Sequence, residues 1–248
     1  MSAPTPPFDF DQITTLLEAP LHWSKTQGQQ TAYTFLENSG RHDSLTYEQL
    51  IQRALSIAAG LEQAGATGER VLLLYPPGLD FVCSFWGCLF AGAIAVPAYP
   101  PDPNRLQRTL GRVVTIVRDC DAKFALTNAN IVAMAQYMFP QGEGLQNIQW
   151  LASETLLETD ADHWTPPTLN GDSIAFLQYT SGSTGAPKGV IISHGNILAT
   201  IKALARDAGV QHSDVGITWV PFYHDLGLFV GILTGPFCGL HSFMMCRV

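Results

Sequence analysis

The stretch RVLLLYPPGLDFVCSFWGCLFAGAIAVPA, residues 70–98, decides the fold. Arg70–Tyr75 is a short continuous apolar run, the mark of a strand buried on both faces. Asp80–Ala91 reads as an apolar helix and Ile94–Ala98 as a second buried strand. Tyr99-Pro-Pro-Asp-Pro103 continues neither element and is a loop. The alternation extends downstream. Arg105–Cys120 is helical, with Leu106, Leu110, Val113 and Val117 on one face and Arg108 and Arg112 on others. Phe124–Thr127 is a strand, Asn130–Tyr137 a helix and Ile148–Leu151 a strand. Upstream, Thr46-Tyr-Glu-Gln49 is a capping box. It opens a helix whose apolar stripe is Tyr47, Leu50, Ile51, Ala54, Ala58 and Leu61, ended by Gly65. Strands separated by helices of this length imply right-handed crossovers, so the fold class is α/β, with mostly parallel sheets flanked by helices. The expected organisation is an N-terminal segment over 1–44, polar and turn-rich with one short helix at Phe10–Leu17. A first α/β subdomain over 45–153 follows, then a linker over Glu154–Gly171. The last unit, 172–248, is incomplete at its C-terminus.

Composition narrows the class further. The 248 residues carry 13 Lys and Arg against 21 Asp and Glu, a net charge of −8, and are 46% hydrophobic and 14% charged. That excludes a disordered chain and argues against a nucleic-acid binder, which needs a basic face for phosphates. Five cysteines (Cys83, Cys88, Cys120, Cys238, Cys246) form no C-x-x-C pair, and Cys83 and Cys88 point to different helix faces. This fits buried thiols in a reducing compartment. The N-terminus lacks a basic start and an apolar core, so no secretory signal is expected and the chain reads as cytoplasmic. Phe81–Ala98 and Leu226–Cys246 approach spanning length but are interrupted at Gly92, Pro97 and Gly235-Pro236, without flanking basic clusters. Each reads as a buried helix running into a strand. Phe85 and Trp86 read as core, and His194 as a helix-start residue rather than a metal ligand.

The chemistry concentrates in SIAFLQYTSGSTGAPKGVIISH, residues 173–194. It reads as a strand, a polar glycine-rich loop, a short strand and a helix from about Gly195. Gly182, Gly185 and Gly189 allow successive amides to face one concavity, a nest for an anion. Ser181, Ser183 and Thr184 add hydroxyl donors and Lys188 a full positive charge. This is phosphate-binding chemistry, set against the blander reading of a surface turn. It is not the GxxxxGK[ST] loop, because Pro187 precedes the lysine and Gly189 follows it.

The string TSGSTGAPKG, residues 180–189, resembles the AMP-binding signature of the adenylate-forming superfamily of acyl-CoA synthetases, luciferases and peptide-synthetase adenylation domains. The resemblance implies that this chain is the first part of the large N-terminal domain of such an enzyme. It also implies that Thr180, Ser181, Gly182, Ser183, Thr184, Gly185 and Lys188 hold the ATP β- and γ-phosphates. TWVPFYHDLGL, residues 218–228, is similar to the next core motif. Its His224 would lie near the carboxylate and α-phosphate, so His224 and Lys188 are the implied catalytic residues. Asp225 holds the position that meets the acyl substrate or, in amino-acid adenylation domains, the substrate amine. The plainer alternative is that His224-Asp225 caps the following helix. AVPAYPPDP at 95–103 and RLQRTL at 105–110 look like the fatty acyl-AMP ligase branch. That branch uses ATP and Mg²⁺ to turn a fatty acid into its adenylate with release of pyrophosphate. It passes the acyl group to the phosphopantetheine thiol of an acyl carrier protein. No dedicated metal site is implied by the residues. Arg105, Arg108 and Arg112 form a solvated face or a patch for an acidic carrier. Family members run to about twice this length, so the chain is expected to be a piece. An acyl-CoA synthetase, an amino-acid adenylation domain and a non-catalytic binding remnant remain the alternatives.

Overall fold

The computed structural model describes residues 12–100, 106–138, 145, 147–181 and 187–245. Its N-terminal part holds more structure than a turn-rich segment. Residues 10 and 11 of the expected helix lie outside the described residues, and helix α1 is Glu18–Thr26. Strands β1 (Thr31–Leu36) and β2 (His42–Thr46) then form an antiparallel hairpin. The signal for it was Asn38-Ser-Gly40, a turn sequence between two runs that hold Ala32, Tyr33, Phe35 and Leu45 in the core.

Helix α2 (Tyr47–Gln63) opens with the expected capping box. Gln49 N–H donates to Thr46 Oγ1 at 3.2 Å and Thr46 N–H to Gln49 Oε1 at 3.0 Å. Strand β3 (Arg70–Leu74), helix α3 (Leu79–Phe90) and strand β4 (Ile94–Ala98) follow the decisive stretch to within a residue or two. Helix α4 is Leu106–Cys120, β5 Phe124–Thr127, α5 Ala129–Met138 and β6 Gln149–Ala152. The expected linker is not a free tether. It holds a one-turn helix α6 (Ser153–Leu156) and a 3₁₀ turn at Ala161–His163, and Trp164 Nε1 donates to the Phe90 carbonyl at 2.8 Å. Buried Leu156 and the indole strap this stretch onto the core.

Strands β7 (Ile174–Ser181) and β8 (Pro187–Ser193) complete a sheet ordered β6-β5-β3-β4-β7-β8, parallel from β6 through β7 with β8 antiparallel at the edge. Ala95 of β4 lies opposite Phe176 of β7, so the sheet draws strands from both sides of the linker. Alternation sends neighbouring residues into different cores. Val71, Leu73, Phe124, Leu126 and Phe176 face α2 and α3, while Leu72, Leu74, Val96, Ala125 and Tyr179 join Val113, Ile116 and Val117 of α4. Chain order reverses between β3–β4 and β5, the topology that opens a ligand crevice at the carboxyl ends of strands. The ends of β4 and β7 lie side by side, one strand along from that point.

Helix α7 (His194–Asp207) leads to β9 (Val215–Thr218). A π-helical segment, Gly227–Leu233, passes directly into α8 (Thr234–Cys238) and then β10 (His241–Met245). The expected break at Gly235-Pro236 does not occur. Pro236 has no N–H for the Ile232 carbonyl, and the Tyr33 hydroxyl donates to that carbonyl instead. β9 and β10 join the N-terminal hairpin in a second sheet, β2-β1-β10-β9. Among the described residues, no helix is long and apolar enough to cross a membrane.

Candidate functional site

The hairpin β7–β8 displays the residues singled out for phosphate chemistry. Thr180 lies opposite Lys188, and Gln178 opposite Val190, so these four side chains share the face that carries Phe176. Thr180 and Lys188 are exposed. Ser181 closes the hairpin stem against Pro187. Gly182, Ser183, Thr184 and Gly185 lie outside the described residues, as does the side chain of Ser181.

The opposite face of the stem is fastened to α4. The Tyr179 hydroxyl donates to Asp119 Oδ2 at 2.5 Å, and burial, then the carboxylate, push the phenol pKa up. Gly189 is part of this arrangement. A Cβ there would stand 2.9 Å from the Tyr179 ring, so the glycine makes room for the tyrosine under the strand. The sequence suggested that Gly189 serves an anion nest; in the structure it lies within β8, and its close neighbour is that ring.

The second motif forms a tight turn beside the same sheet face. His224 N–H donates to the Pro221 carbonyl at 3.0 Å, and Leu228 N–H to the His224 carbonyl at 3.0 Å. The turn closes only because residue 227 is glycine: a Cβ would sit 2.2 Å from the Pro221 oxygen. His224 and Asp225 are both exposed, with His224 Nδ1 2.5 Å from Asp225 Oδ1. Asp225 Oδ1 also accepts from Leu226 N–H at 2.7 Å, in the first helical turn. Tyr223 turns its ring edge-on to Tyr99, just past the end of β4, with centroids 5.0 Å apart. Phe229 of the π-helical segment packs on Phe176, 6.1 Å between centroids. π-Helical turns of this kind recur at functional sites.

One side chain joins the two motifs. Gln178 is 6% exposed, and its Nε2 donates to the Tyr223 carbonyl at 2.8 Å. Its Oε1 is buried and accepts nothing among the described residues, which costs about 1–3 kcal/mol. Sequence reading passed over Gln178, Tyr179 and Asp119. A polar amide within the apolar strand Ile174-Ala-Phe-Leu-Gln-Tyr was the available signal for the first.

The remaining candidates lie apart from this site. His194 begins α7, 1% exposed, and burial holds its pKa down at about 4. Of the three arginines singled out in the sequence, Arg112 on α4 is exposed; Arg105 and the Arg108 side chain lie outside the described residues. Among the described residues no three His, Cys, Asp or Glu side chains converge as metal ligands. A shallow groove of about 650 Å³ along α7 is lined by Ala199, Thr200, Ala203, Leu204, Asp207 and Ala208. It lacks the convergent polar groups of a reaction site.

The sequence profile of the family described as "AMP-binding enzyme" matches residues 21–247. The chain belongs to that family. This AMP-binding enzyme chain is 36% identical over 239 residues to the medium-chain-fatty-acid–[acyl-carrier-protein] ligase JamA of Moorena producens, covering 96% of this chain and 40% of JamA. It is 32% identical over 228 residues to the long-chain-fatty-acid–AMP ligase FadD32 of Mycolicibacterium smegmatis, covering 90% of this chain and 36% of that protein. Among solved structures it superposes on the fatty acyl-adenylate ligase of L. pneumophila in complex with acyl adenylate and pyrophosphate. The TM-score is 0.86 at 35% identity, over 96% of this chain and 40% of that one. The AMP-binding enzyme chain thus spans about 40% of the length of these relatives, and its fold is the first part of theirs.

Proposed function

We propose that this chain is the phosphate-gripping part of a fatty acyl-AMP ligase. The observation that carries the reading is the common face of β7 and β8. Thr180 and Lys188 stand across from one another on it, and the turn bearing His224 and Asp225 is tied to that face through Gln178 and Tyr223. A carboxylate is a poor acyl donor because its leaving group would be oxide. In-line attack of a fatty-acid carboxylate oxygen on the α-phosphorus of ATP breaks the bond to pyrophosphate and makes that oxygen part of AMP, a far better leaving group. The work left to the protein is positioning and charge neutralisation. Lys188, Thr180 and the loop from Ser181 to Gly185 would hold the departing pyrophosphate. His224 would donate to oxygens of the carboxylate or α-phosphate as their charge shifts, with Asp225 beside the acyl group.

Mg²⁺ bound with the nucleotide would neutralise charge on the phosphate oxygens. The described residues offer oxygens such as the exposed Thr180 hydroxyl and no carboxylate cage, which suits an ion that keeps most of its shell for phosphate and water. The acyl acceptor in this reading is the phosphopantetheine thiol of an acyl carrier protein, the acceptor class in JamA's name. A cytoplasmic setting belongs to the same proposal. It is supported by four buried free thiols, Cys83, Cys88, Cys120 and Cys238, whose pKa burial raises.

The test is fatty-acid-dependent exchange of pyrophosphate into ATP by the full-length protein. Lys188→Ala and Thr184→Ala are each expected to lower exchange by about 10²–10³-fold, the usual effect of removing one well-placed transition-state donor. Unchanged exchange in both variants overturns the phosphate-loop assignment. Acyl transfer to coenzyme A in preference to a carrier protein overturns the choice of acceptor.

A further inference from the structure

We propose that Gln178 is a positioning residue, which sets the turn carrying His224 against the strand that carries the phosphate loop. The claim rests on the acyl-adenylate reading above and adds to it a residue that neither motif's chemistry names. Gln178 lies two residues before Thr180, on the same face of β7 and buried, whereas Thr180 is exposed. Its Nε2 reaches the carbonyl of Tyr223, the residue just before His224 and 45 positions along the chain. A backbone carbonyl only accepts, so this bond fixes which way round the amide sits and leaves Oε1 buried with no donor among the described residues.

An apolar side chain such as methionine would fill this space without an unpaired acceptor. Packing alone therefore gives no reason for an amide here, since the bond gained at Nε2 is set against the bond missing at Oε1. What the amide supplies is a fixed separation. Tyr223 also leans on Tyr99 past β4, Gly227 closes the base of the turn against Pro221, and beyond the turn Phe229 packs on Phe176 of β7. Gln178 adds a directed hydrogen bond from β7 to the turn, and this bond sets the turn's height over Thr180 and Lys188.

The test uses the full-length protein with Gln178→Met, Gln178→Glu, His224→Ala and the pair Gln178→Met/His224→Ala. Binding of a non-hydrolysable acyl-sulfamoyl adenosine is measured by calorimetry, and the Tyr223 carbonyl and His224 ring resonances by NMR. In Gln178→Met both resonances are expected to move while those of remote His42 stay in place, and affinity falls about five- to tenfold. In the His224→Ala background the same substitution is expected to add no further loss, because its effect passes through His224. Gln178→Glu should behave like Gln178→Met at pH 8 and recover the wild-type Tyr223 carbonyl shift towards pH 5, since only a neutral carboxyl keeps an O–H to donate. Each point is compared with wild type at the same pH. A Tyr223 carbonyl unmoved by Gln178→Met, equal losses with and without His224, or no recovery in Gln178→Glu overturns the proposal. If Gln178→Met fails to fold, the pH series of Gln178→Glu decides. If wild type ignores the adenylate mimic, the acyl-adenylate reading falls, and the Tyr223 and His224 resonances still decide the positioning claim.

Discussion

The two sheets share one core but are held in different ways. In the six-stranded sheet, the inner strands send alternate residues into two separate cores, so nearly every side chain from Val71 to Leu74 is packed. The four-stranded sheet joins the two ends of the described chain: Tyr33 of β1 lies opposite Ser242 of β10. Its outer face is polar at the centre, where Thr34 Oγ1 sits 2.9 Å from both Ser44 Oγ and His241 Nε2. Its edge strand β9 leaves Val215 and Ile217 largely exposed. What fastens it underneath is a set of aromatic donors. The Tyr33 hydroxyl donates to the Ile232 carbonyl, Trp23 Nε1 to the Phe237 carbonyl at 3.2 Å, and the Tyr47 hydroxyl to the Leu240 carbonyl at 2.7 Å. Apolar packing on both faces stabilises the large sheet; the small one packs a single face, with Tyr33, Phe35, Leu45 and Met244, into the core and adds a few long-range polar contacts.

That contrast is broken most directly in the large sheet. Phe176→Ala removes a ring within 5.7 Å of Phe85 and 6.1 Å of Phe229, in a position without solvent exposure. The expected loss in urea unfolding is about 3–5 kcal/mol, the range for deleting a buried aromatic. A loss below about 1 kcal/mol would mean that apolar packing does not dominate there.

His194, at the junction of β8 and α7, sharpens the contrast through pH. Burial holds its pKa at about 4 against 6.5 when free, and its Nδ1 has no partner among the described residues. The folded pKa is depressed, so the neutral imidazole's contribution is complete above pH 6.5. It is lost as pH falls from 6.5 to about 4, where only the unfolded chain takes up the proton. The difference of about 2.5 units corresponds to a loss of up to about 3 kcal/mol. Unfolding free energies measured from pH 7 to pH 4 should show this slope, and His194→Gln should flatten it.

How legible each region was follows from the same contrast. Residues 70–127 could be read because every strand there is a short apolar run between helices, a local property of the sequence. The pairing of β1 with β10 involves residues more than 200 positions apart, and no local period announces such a partner. Leu156, Leu157 and Trp164 made the linker a packed strap, yet they are an isolated pair and a single ring in an otherwise polar stretch. At the candidate site, the glycine-rich loop singled out Thr180 and Lys188, while His224 and Asp225 came only from the resemblance of residues 218–228 to a family motif. The contacts that position them were not legible, because Gln178–Tyr223 and Tyr179–Asp119 join residues 45 and 60 apart. Gly189 shows the difference most clearly: its identity was readable, its neighbour was not.

For the small sheet the corresponding experiment is Tyr47→Phe, which removes one hydroxyl and leaves the ring. The Leu240 and Gly235 carbonyls, at 2.7 and 3.3 Å, lose a donor in a region closed to water. The expected cost is about 1–3 kcal/mol by thermal or urea unfolding. A cost near zero would move this sheet into the packing-dominated class.

The edge hairpin of the large sheet uses the small sheet's device, so Tyr179→Phe is the finest test. Tyr179 packs in the α4-side core, yet its hydroxyl reaches Asp119, which is exposed. Removing the hydroxyl leaves a carboxylate that water can solvate, so the cost to global stability should be about 1 kcal/mol, below that of Tyr47→Phe. The local effect should be larger. The hydroxyl fastens the face of the stem opposite Thr180 and Lys188, and without it the edge strand can open while the inner strands stay paired. Faster amide exchange at Lys188 and Val190, with unchanged exchange at Val71 and Leu73, is the expected pattern. Equal acceleration in both places would show that the phenol acts only through the core it shares with α4, and that the two sheets differ less than their hydrogen bonds suggest.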